Sequence, residues 1–314
     1  MRVLITGGSG FVGSHLADRL LARNDHVLVI DNFTTGRRDN LKPHRNLEVI
    51  EESIANTAAM DRIFTAFKPD VVVHAAASYK DPDNWVEDCQ TNVLGTVNVL
   101  SATKKAGCKR IIYFQTALCY GLNPKEQPVS LTHHFDSRGS SYAISKTAAE
   151  HYVELSGLDF ISFRLANAYG PRNISGPLPT FYQRLTTNKA CFVMDTRRDF
   201  IYIQDLVDCV QSALDGKGAG YYHISSGSDF SIKELFDATL AALNVTLDKD
   251  VEVRPRHPDD AFTILLDPSR TNKDFAWHVK TPLVVGVKAA IEYYQQCGIE
   301  QTYTHLRAAE TEHA

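Results

Sequence analysis

Tyr142 and Lys146 stand four residues apart, at 142 and 146. On a helix that spacing puts both side chains on one face, one turn apart. A phenol has an ordinary pKa of ~10, so it is idle as a base at neutral pH. Bringing it to ~7 takes roughly 4 kcal/mol in favour of the phenolate. A cation at ~4 Å in an effective dielectric of ~20 supplies about that much, and Lys146 is such a cation. Thr116, just beyond the apolar run Arg110–Phe114, adds a hydroxyl placed to bridge a substrate oxygen and Tyr142. Together they would take the proton from a substrate hydroxyl while its carbon passes on a hydride.

A hydride needs an acceptor, and the N-terminus is built to hold one. Residues Arg2–Thr6 form a short apolar run that reads as a strand buried on both faces. Gly7, Gly10 and Gly13 follow at once, enclosing Phe11 and Val12, and a helical pattern runs from Ser14 to Ala22. A second buried strand, His26–Ile30, ends at Asp31. Strand, glycine loop, helix, strand and acid make a dinucleotide-binding unit. Gly7 lets the chain turn out of the strand, Gly10 lets a pyrophosphate approach the backbone, and Gly13 lets the helix pack close. The helix N-terminus offers N–H groups and partial positive charge to the phosphates. The Asp31 carboxylate would accept from the ribose hydroxyls and repel a 2'-phosphate, so NAD is favoured over NADP. Arg37 and Arg38 are taken as solvated loop charges.

The positioning elements repeat the same alternation. Strands are expected at 47–50, 71–74, 110–114 and 159–165, with helices at 60–67, 87–106 and 140–155. That pattern argues a parallel sheet with right-handed crossovers, whose ligands lie beyond the carboxyl ends of the strands. Ser53 and Ile54 then fall where an adenine would lie. Ala75, Ala76 and Ala77 form a small-residue turn that lets backbone approach the cofactor, and Gln115 and Thr116 end the fifth strand. Beyond Pro171 the pattern loosens: a helix at 180–187, strands at 191–194, 197–203, 221–224 and 251–253, and helices at 204–214, 231–243 and 282–297. Ser231 caps one of these helices, and Asp267-Pro-Ser269 starts a late helix. The expected fold is α/β: a Rossmann-type doubly wound parallel sheet with a smaller C-terminal α/β substrate-binding lobe. Residues 1–170, with returning segments about 200–230, form the first part and 171–314 mainly the second.

The 314 residues suffice for such an arrangement, with 44% hydrophobic and 22% charged residues, as in an ordinary globular protein. A net charge of −4 gives no basic field for nucleic acid. No stretch approaches the ~18 apolar residues of a membrane helix, and the N-terminus enters a core strand directly, so no signal peptide is expected. The six cysteines include no C-x-x-C pair, and His133 and His134, being adjacent, make a poor chelate. A reduced cytoplasmic protein without structural disulfide or metal is expected. The polar tail Arg307–Ala314 is expected to fray.

The chain resembles an extended short-chain dehydrogenase/reductase of the NAD-dependent nucleotide-sugar epimerase/dehydratase family over nearly its whole length. The resemblance rests on Gly7, Gly10 and Gly13; Asp31 and Asn32; His74 to Ala77; Asn92, Val93, Gly95 and Thr96; and Tyr120 and Gly121. It continues through Tyr142 and Lys146, Arg164 to Asn167, Gly170 to Arg172, and Arg198 to Phe200. It implies an NAD that stays bound, contacted also by Phe11, Val12, Asn32, Asn92, Gln115, Tyr142 and Lys146, the last holding the nicotinamide ribose, and a UDP-sugar substrate. Thr116, Tyr142 and Lys146 take the catalytic positions. Asn167 resembles the asparagine on the substrate diphosphate, Arg198 the arginine that clamps it, and Asp260 the acid on the nucleotide ribose. A homodimer through residues 87–106 and 141–156 is implied, with Val93, Val97 and Leu100 serving either that interface or the core. Departures narrow the reaction. The 4,6-dehydratases have Asp-Glu after the Ser/Thr, whereas here Ala117 and Leu118 follow and carry no titratable proton. Gln115 replaces a usual serine, His257 stands where arginine is common, and Tyr79-Lys80 is unlike the common pattern. The expected activity is 4-epimerisation through a 4-keto sugar. Decarboxylation, 5,6-dehydration or reduction through the same ketone, and a non-catalytic NAD-binding role, are the alternatives.

Overall fold

Apolar runs of four to seven residues alternate with amphipathic ones along the first half of the chain, and each takes the structure its period demands. In chain order these are β1 (Arg2–Thr6), α1 (Phe11–Ala22), β2 (His26–Asp31), β3 (Leu47–Glu51), α2 (Thr57–Phe67) and β4 (Val71–His74). A broken helix follows: α3 (Trp85–Asp88), a π-helical turn (Cys89–Gly95) and α4 (Thr96–Lys105). Then come β5 (Arg110–Thr116), α5 (Ser141–Leu155) and β6 (Asp159–Leu165). The computed structural model describes residues 1–299 and 301–303; the fraying expected of 307–314 lies outside them.

Later elements are shorter: β7 (Asn167–Tyr169), α6 (Pro177–Thr186), β8 (Phe192–Met194), β9 (Arg197–Arg198), β10 (Phe200–Tyr202), α7 (Ile203–Leu214) and β11 (Gly220–Ile224). β12 (Phe230–Ser231), α8 (Ile232–Leu243), β13 (Glu252–Arg254), α9 (Ser269–Phe275) and α10 (Leu283–Cys297) complete them. Ser231 and Glu234 close a reciprocal capping box at the start of α8.

Seven strands form one sheet in the order β3-β2-β1-β4-β5-β6-β11, with every neighbouring pair parallel. The order reverses between β1 and β4, which opens the ligand crevice of a doubly wound sheet at their carboxyl ends. One core packs Leu16, Leu20, Val207 and Val210 from α1 and α7 on one face. Met60, Phe64, Val99 and Val153 from α2, α4 and α5 cover the other. A third core gathers Phe181, Phe236 and Ile291 from α6, α8 and α10 into a lobe beside the sheet. This is the Rossmann-type α/β fold expected. Among the described residues, no helix is long and apolar enough to cross a membrane.

Three local features differ from the sequence reading. The stretch 197–203 is not one strand: β9 pairs antiparallel with β12 and β10 pairs parallel with β7. Asp199, fully buried between them, accepts from the Ser225 hydroxyl and from the Ser226 amide and hydroxyl, which turns the chain. The helix expected at 87–106 starts at Trp85, because Asn84 caps it by accepting from the Glu87 amide. Its π turn coincides with Gly95, where a Cβ would meet the Ile54 side chain at 2.5 Å. Leu100 lies in the core, whereas Trp85, Val86, Leu94, Ile144, Tyr152 and Leu155 are exposed.

A Cβ on Gly13 would collide with the Gly7 carbonyl and stand 2.6 Å from the Gly8 Cα, both backbone atoms with nowhere to move. Gly13→Ala is therefore expected to lower stability by about 2–4 kcal/mol. A urea unfolding midpoint that shifts at unchanged slope checks it, and an unchanged midpoint contradicts it.

Candidate active site

The crevice at the strand ends opens into a cavity of about 620 Å³ shared by the sheet and the lobe. Gly7, Gly10, Phe11, Val12, Asp31, Asn32, Ser53, Ile54 and Ala75 to Ala77 line one end. Thr116 and Tyr142 line the middle, and Asn167, Arg198 and Asp260 line the lobe side. Side chains separated by over two hundred positions are thus brought to one wall.

The glycine end fits a dinucleotide. Gly7 has φ +68°, and a Cβ there would strike the Ala76 backbone nitrogen at 2.6 Å. The Gly10 amide is held by the Gly7 carbonyl at 3.2 Å, so this loop is a fixed cradle of bare backbone. Asp31 is anchored by the Ser9 and Phe33 amides, both at 2.8 Å. Its carboxylate keeps lone pairs for ribose hydroxyls. Arg37 pairs with Asp39 at 2.6 Å, and the exposed Arg38 pairs with Glu51.

The small-residue turn is braced from below. His74 is fully buried, and burial pushes its pKa down to about 3, so its ring is neutral. Thr96 donates its hydroxyl to the Asn92 carbonyl (2.6 Å) and must accept from His74 Nε2 (2.8 Å). His74 Nδ1 then accepts from the Thr6 hydroxyl at 2.7 Å. One chain of bonds fixes the tautomer and ties the end of β1 to the π turn.

Asn92 and Gln115 do not reach the cavity; both are buried behind its wall. Asn92 donates to the Ser78 carbonyl and the Ser145 hydroxyl and accepts from the Ser78 amide. Gln115 accepts from the Thr116 amide at 2.8 Å and donates to the Lys146 carbonyl at 3.0 Å. The Tyr113 hydroxyl donates to that same carbonyl at 3.0 Å. Both residues hold the site's frame, β5 against α5, and their polar atoms are used in doing so.

Lys146 also sits behind the wall, at 3% exposure, with its ammonium 4.0 Å from the centre of the Tyr113 ring. Burial lowers its pKa to about 7, against a smaller upward pull from Glu150. Burial acts on Tyr142 in the opposite sense and raises its pKa, with Tyr79 and Asp88 adding to the rise. The sequence argument gave Lys146 a full charge and a lowered phenol. In the protein alone burial instead shifts both groups toward their neutral forms, since each loses water.

On the lobe side, Arg198 Nη2 meets both Asp260 oxygens at 2.6 Å, and Nη1 donates to the Arg197 and Ala261 carbonyls. The Asn167 amide group donates to the Asp199 carbonyl at 3.3 Å. His257 accepts from the Asp259 amide, while its neighbour Arg256 donates to the Asp260 carbonyl.

Several wall residues escaped the sequence reading: Thr35, Phe181, Phe192, Met194 and Thr196. Phe192 and Met194 alternate with Val193, which is 1% exposed in the lobe core. That period of two was the available signal. Thr196 is buried at the cavity wall, its hydroxyl without a hydrogen-bond partner among the described residues. Tyr79, unlike the common pattern in sequence, lines the cavity against the Thr35 hydroxyl and faces Tyr142.

Comparison with known proteins follows this geometry. The model of the NAD dependent epimerase/dehydratase family matches residues 3–224. The chain belongs to that family. Among solved structures it resembles the Bordetella bronchiseptica enzyme WbmH in complex with NAD+, with 52% identity and a TM-score of 0.92. That likeness covers 95% of this chain and 99% of the other. It is 29% identical to a UDP-glucose 4-epimerase of Mycolicibacterium smegmatis, over 94% of this chain and 99% of the relative. It is 30% identical to UDP-glucuronic acid decarboxylase 4 of Arabidopsis thaliana, over 94% of this chain and 69% of the relative. As a member of an NAD-dependent family the protein is an enzyme whose cofactor is NAD, and the glycine cradle and Asp31 are the features that fit it.

The buried Lys146 gives a signed prediction for the NAD dependent epimerase/dehydratase fold without its ligands. Between pH of about 7 and 10.5 the unfolded chain binds the proton that folded Lys146 releases. The burial cost is therefore greatest at or below pH 7 and fades toward 10.5. Lys146→Met is expected to stabilise dinucleotide-free protein by about 2–4 kcal/mol at pH 7, and by progressively less at higher pH. Denaturant titrations across that range measure the difference; a gain that grows with pH contradicts it.

Proposed function

We propose that the protein is a 4-epimerase of a UDP-linked hexose, N-acetylhexosamine or uronic acid, working in the cytoplasm. One observation carries the reading. Tyr142 and Thr116 share the cavity wall with Ala117 and Leu118, which have no proton to give or take. Tyr142 beside the hydride path suits an alcohol–ketone interconversion, and positions 117 and 118 supply no acid or base for expelling water.

The Tyr142 oxygen takes the proton of the sugar 4-hydroxyl, with the Thr116 hydroxyl holding the same substrate oxygen. NAD, when bound, supplies the acceptor for the C4 hydride and later its donor. Lys146, behind the wall one turn along α5, stabilises the phenolate; its 3% exposure sets it back from the cavity where the sequence reading had it hold the nicotinamide ribose. Arg198 grips the diphosphate, Asn167 assists, and Asp260 takes the nucleotide ribose. Since Arg198 and Asp260 already pair, the substrate engages them as a unit. The 4-keto sugar turns within the shared cavity, presents its other face, and regains the proton from Tyr142. The relative named as a UDP-glucose 4-epimerase supports this choice of substrate class.

Incubating purified protein with a panel of UDP-sugars, with no added cofactor, is expected to give the 4-epimer of at least one by NMR. Tyr142→Phe is expected to lower kcat by about 10²–10⁴ with bound NAD retained. Net accumulation of reduced cofactor, or a pentose and carbon dioxide from a UDP-uronic acid, overturns the epimerase reading.

We also propose a homodimer through α3, the π turn and α5, whose exposed Trp85, Val86, Leu94, Ile144, Tyr152 and Leu155 need cover. Sedimentation is expected to give twice the mass of one chain, and Leu155→Glu with Trp85→Glu to give one. A wild-type monomer contradicts it.

A further inference from the structure

Asp88 is a buried acid that the reaction above does not use. It ends α3, one turn before Asn92, on the helix that packs against the start of α5. It is 1% exposed. The Ser141 and Ser78 side chains face its carboxyl group. Neither carboxyl oxygen has a partner in hydrogen-bonding geometry among the described residues. Buried polar atoms of this kind are uncommon and call for a cause.

The surroundings explain what the acid touches. Ser78 is fixed by Asn92 through its amide and carbonyl, and Asn92 also donates to Ser145. Ser145 in turn donates to the Tyr142 carbonyl at 3.0 Å. Ser141 precedes Tyr142 in the first turn of α5. Asp88 thus sits against the two segments that carry Tyr79 and Tyr142.

We propose that Asp88 is a positioning residue that sets the proton affinity of Tyr142: its carboxylate, unpartnered beside the first turn of α5, opposes a second negative charge on the phenol. This rests on the reading of Tyr142 as the base. Like charges in one low-dielectric site disfavour one another, so the phenolate forms at higher pH while Asp88 is ionised. The other groups facing Tyr142 are Tyr79 from the loop after β4, Tyr113 from β5 and Lys146 on its own helix. Asp81 faces Asp88 from the same loop, and Lys80 and Glu87 line the cavity nearby. The carboxyl group itself is raised by desolvation, with the Ser141 and Ser78 hydroxyls pulling the other way. Asp88 therefore keeps Tyr142 protonated until positive charge at Lys146 and the bound cofactor outweighs it.

The test is a pH titration of tyrosinate absorbance on purified, NAD-loaded protein. The Tyr142 signal is isolated by subtracting Tyr142→Phe in the wild-type background and again in the Asp88→Asn background. The Tyr142 midpoint is expected to fall by on the order of one pH unit in Asp88→Asn. The acid limb of the kcat profile should move down by the same amount. Coincident midpoints overturn the inference, as does a loss of thermal stability with the midpoint unmoved, which is the mark of a purely structural acid. Should Asp88→Asn fail to fold by circular dichroism, Asp88→Ser removes the same charge with less bulk and is read the same way. The absorbance titration needs no substrate. An inactive wild type with shifted midpoints therefore rejects the epimerase reading alone, and an active wild type with coincident midpoints rejects this inference alone.

Discussion

Burying the Lys146 ammonium is the constraint on which the rest of the structure depends. An ammonium taken out of water costs several kcal/mol unless its surroundings answer it. The answer begins with the Tyr113 ring face and with Glu150, one turn along α5. Glu150 is held in turn by the Ser162 hydroxyl and by Arg164, an ion pair whose side chains are 1% and 5% exposed. Arg164 donates to the Tyr120 oxygen at 2.7 Å, so Tyr120 gives its own proton to His223 Nε2 at 2.6 Å. His223 then carries its proton on Nδ1, toward the Asp267 carbonyl. A charge on the reactive helix is thus balanced through β6 and out to β11, a strand that arrives from residues 220–224.

The same logic governs the buried titratable groups around the site. Burial lowers Lys146 and raises Tyr142 and Asp88. Each shift opposes charge in a site with little water. Charge that appears on substrate binding therefore meets a site already stripped of competing solvent, and each electrostatic contact gains strength from that.

The lobe completes the cavity by a different device. Asp199 is buried and draws the Ser225–Ser226 segment toward itself, which breaks 197–203 into two short strands. That break sends Phe200 to β10 beside β7, while Arg198 is held at the cavity wall by Asp260. Arg198 and Asp260 are 62 residues apart, yet their pairing shapes the lobe side of the cavity.

The first half of the fold was legible because its signals are local. Four-residue apolar runs, three glycines at fixed spacing and Asp31 at a strand end each carry their reason within a few residues. Tyr142 and Lys146 were legible because helix geometry alone aligns them. The sequence could not reveal that Lys146 would lose much of its charge, since desolvation depends on every element packed around it. Nor could it show that Asn92 and Gln115 turn away from the cavity, because their partners, Ser78, Ser145 and the Lys146 carbonyl, belong to other segments. The split at Asp199 was hidden for the same reason: its donors lie at 225 and 226. Sequence by itself determined the fold class, the glycine cradle and the alignment of Tyr142 with Lys146 on one helix, because short-range sterics and periodicity dictate them. Tertiary structure alone decided the charge states and the far wall of the cavity, because burial and long-range hydrogen bonds exist only once the chain has closed on itself.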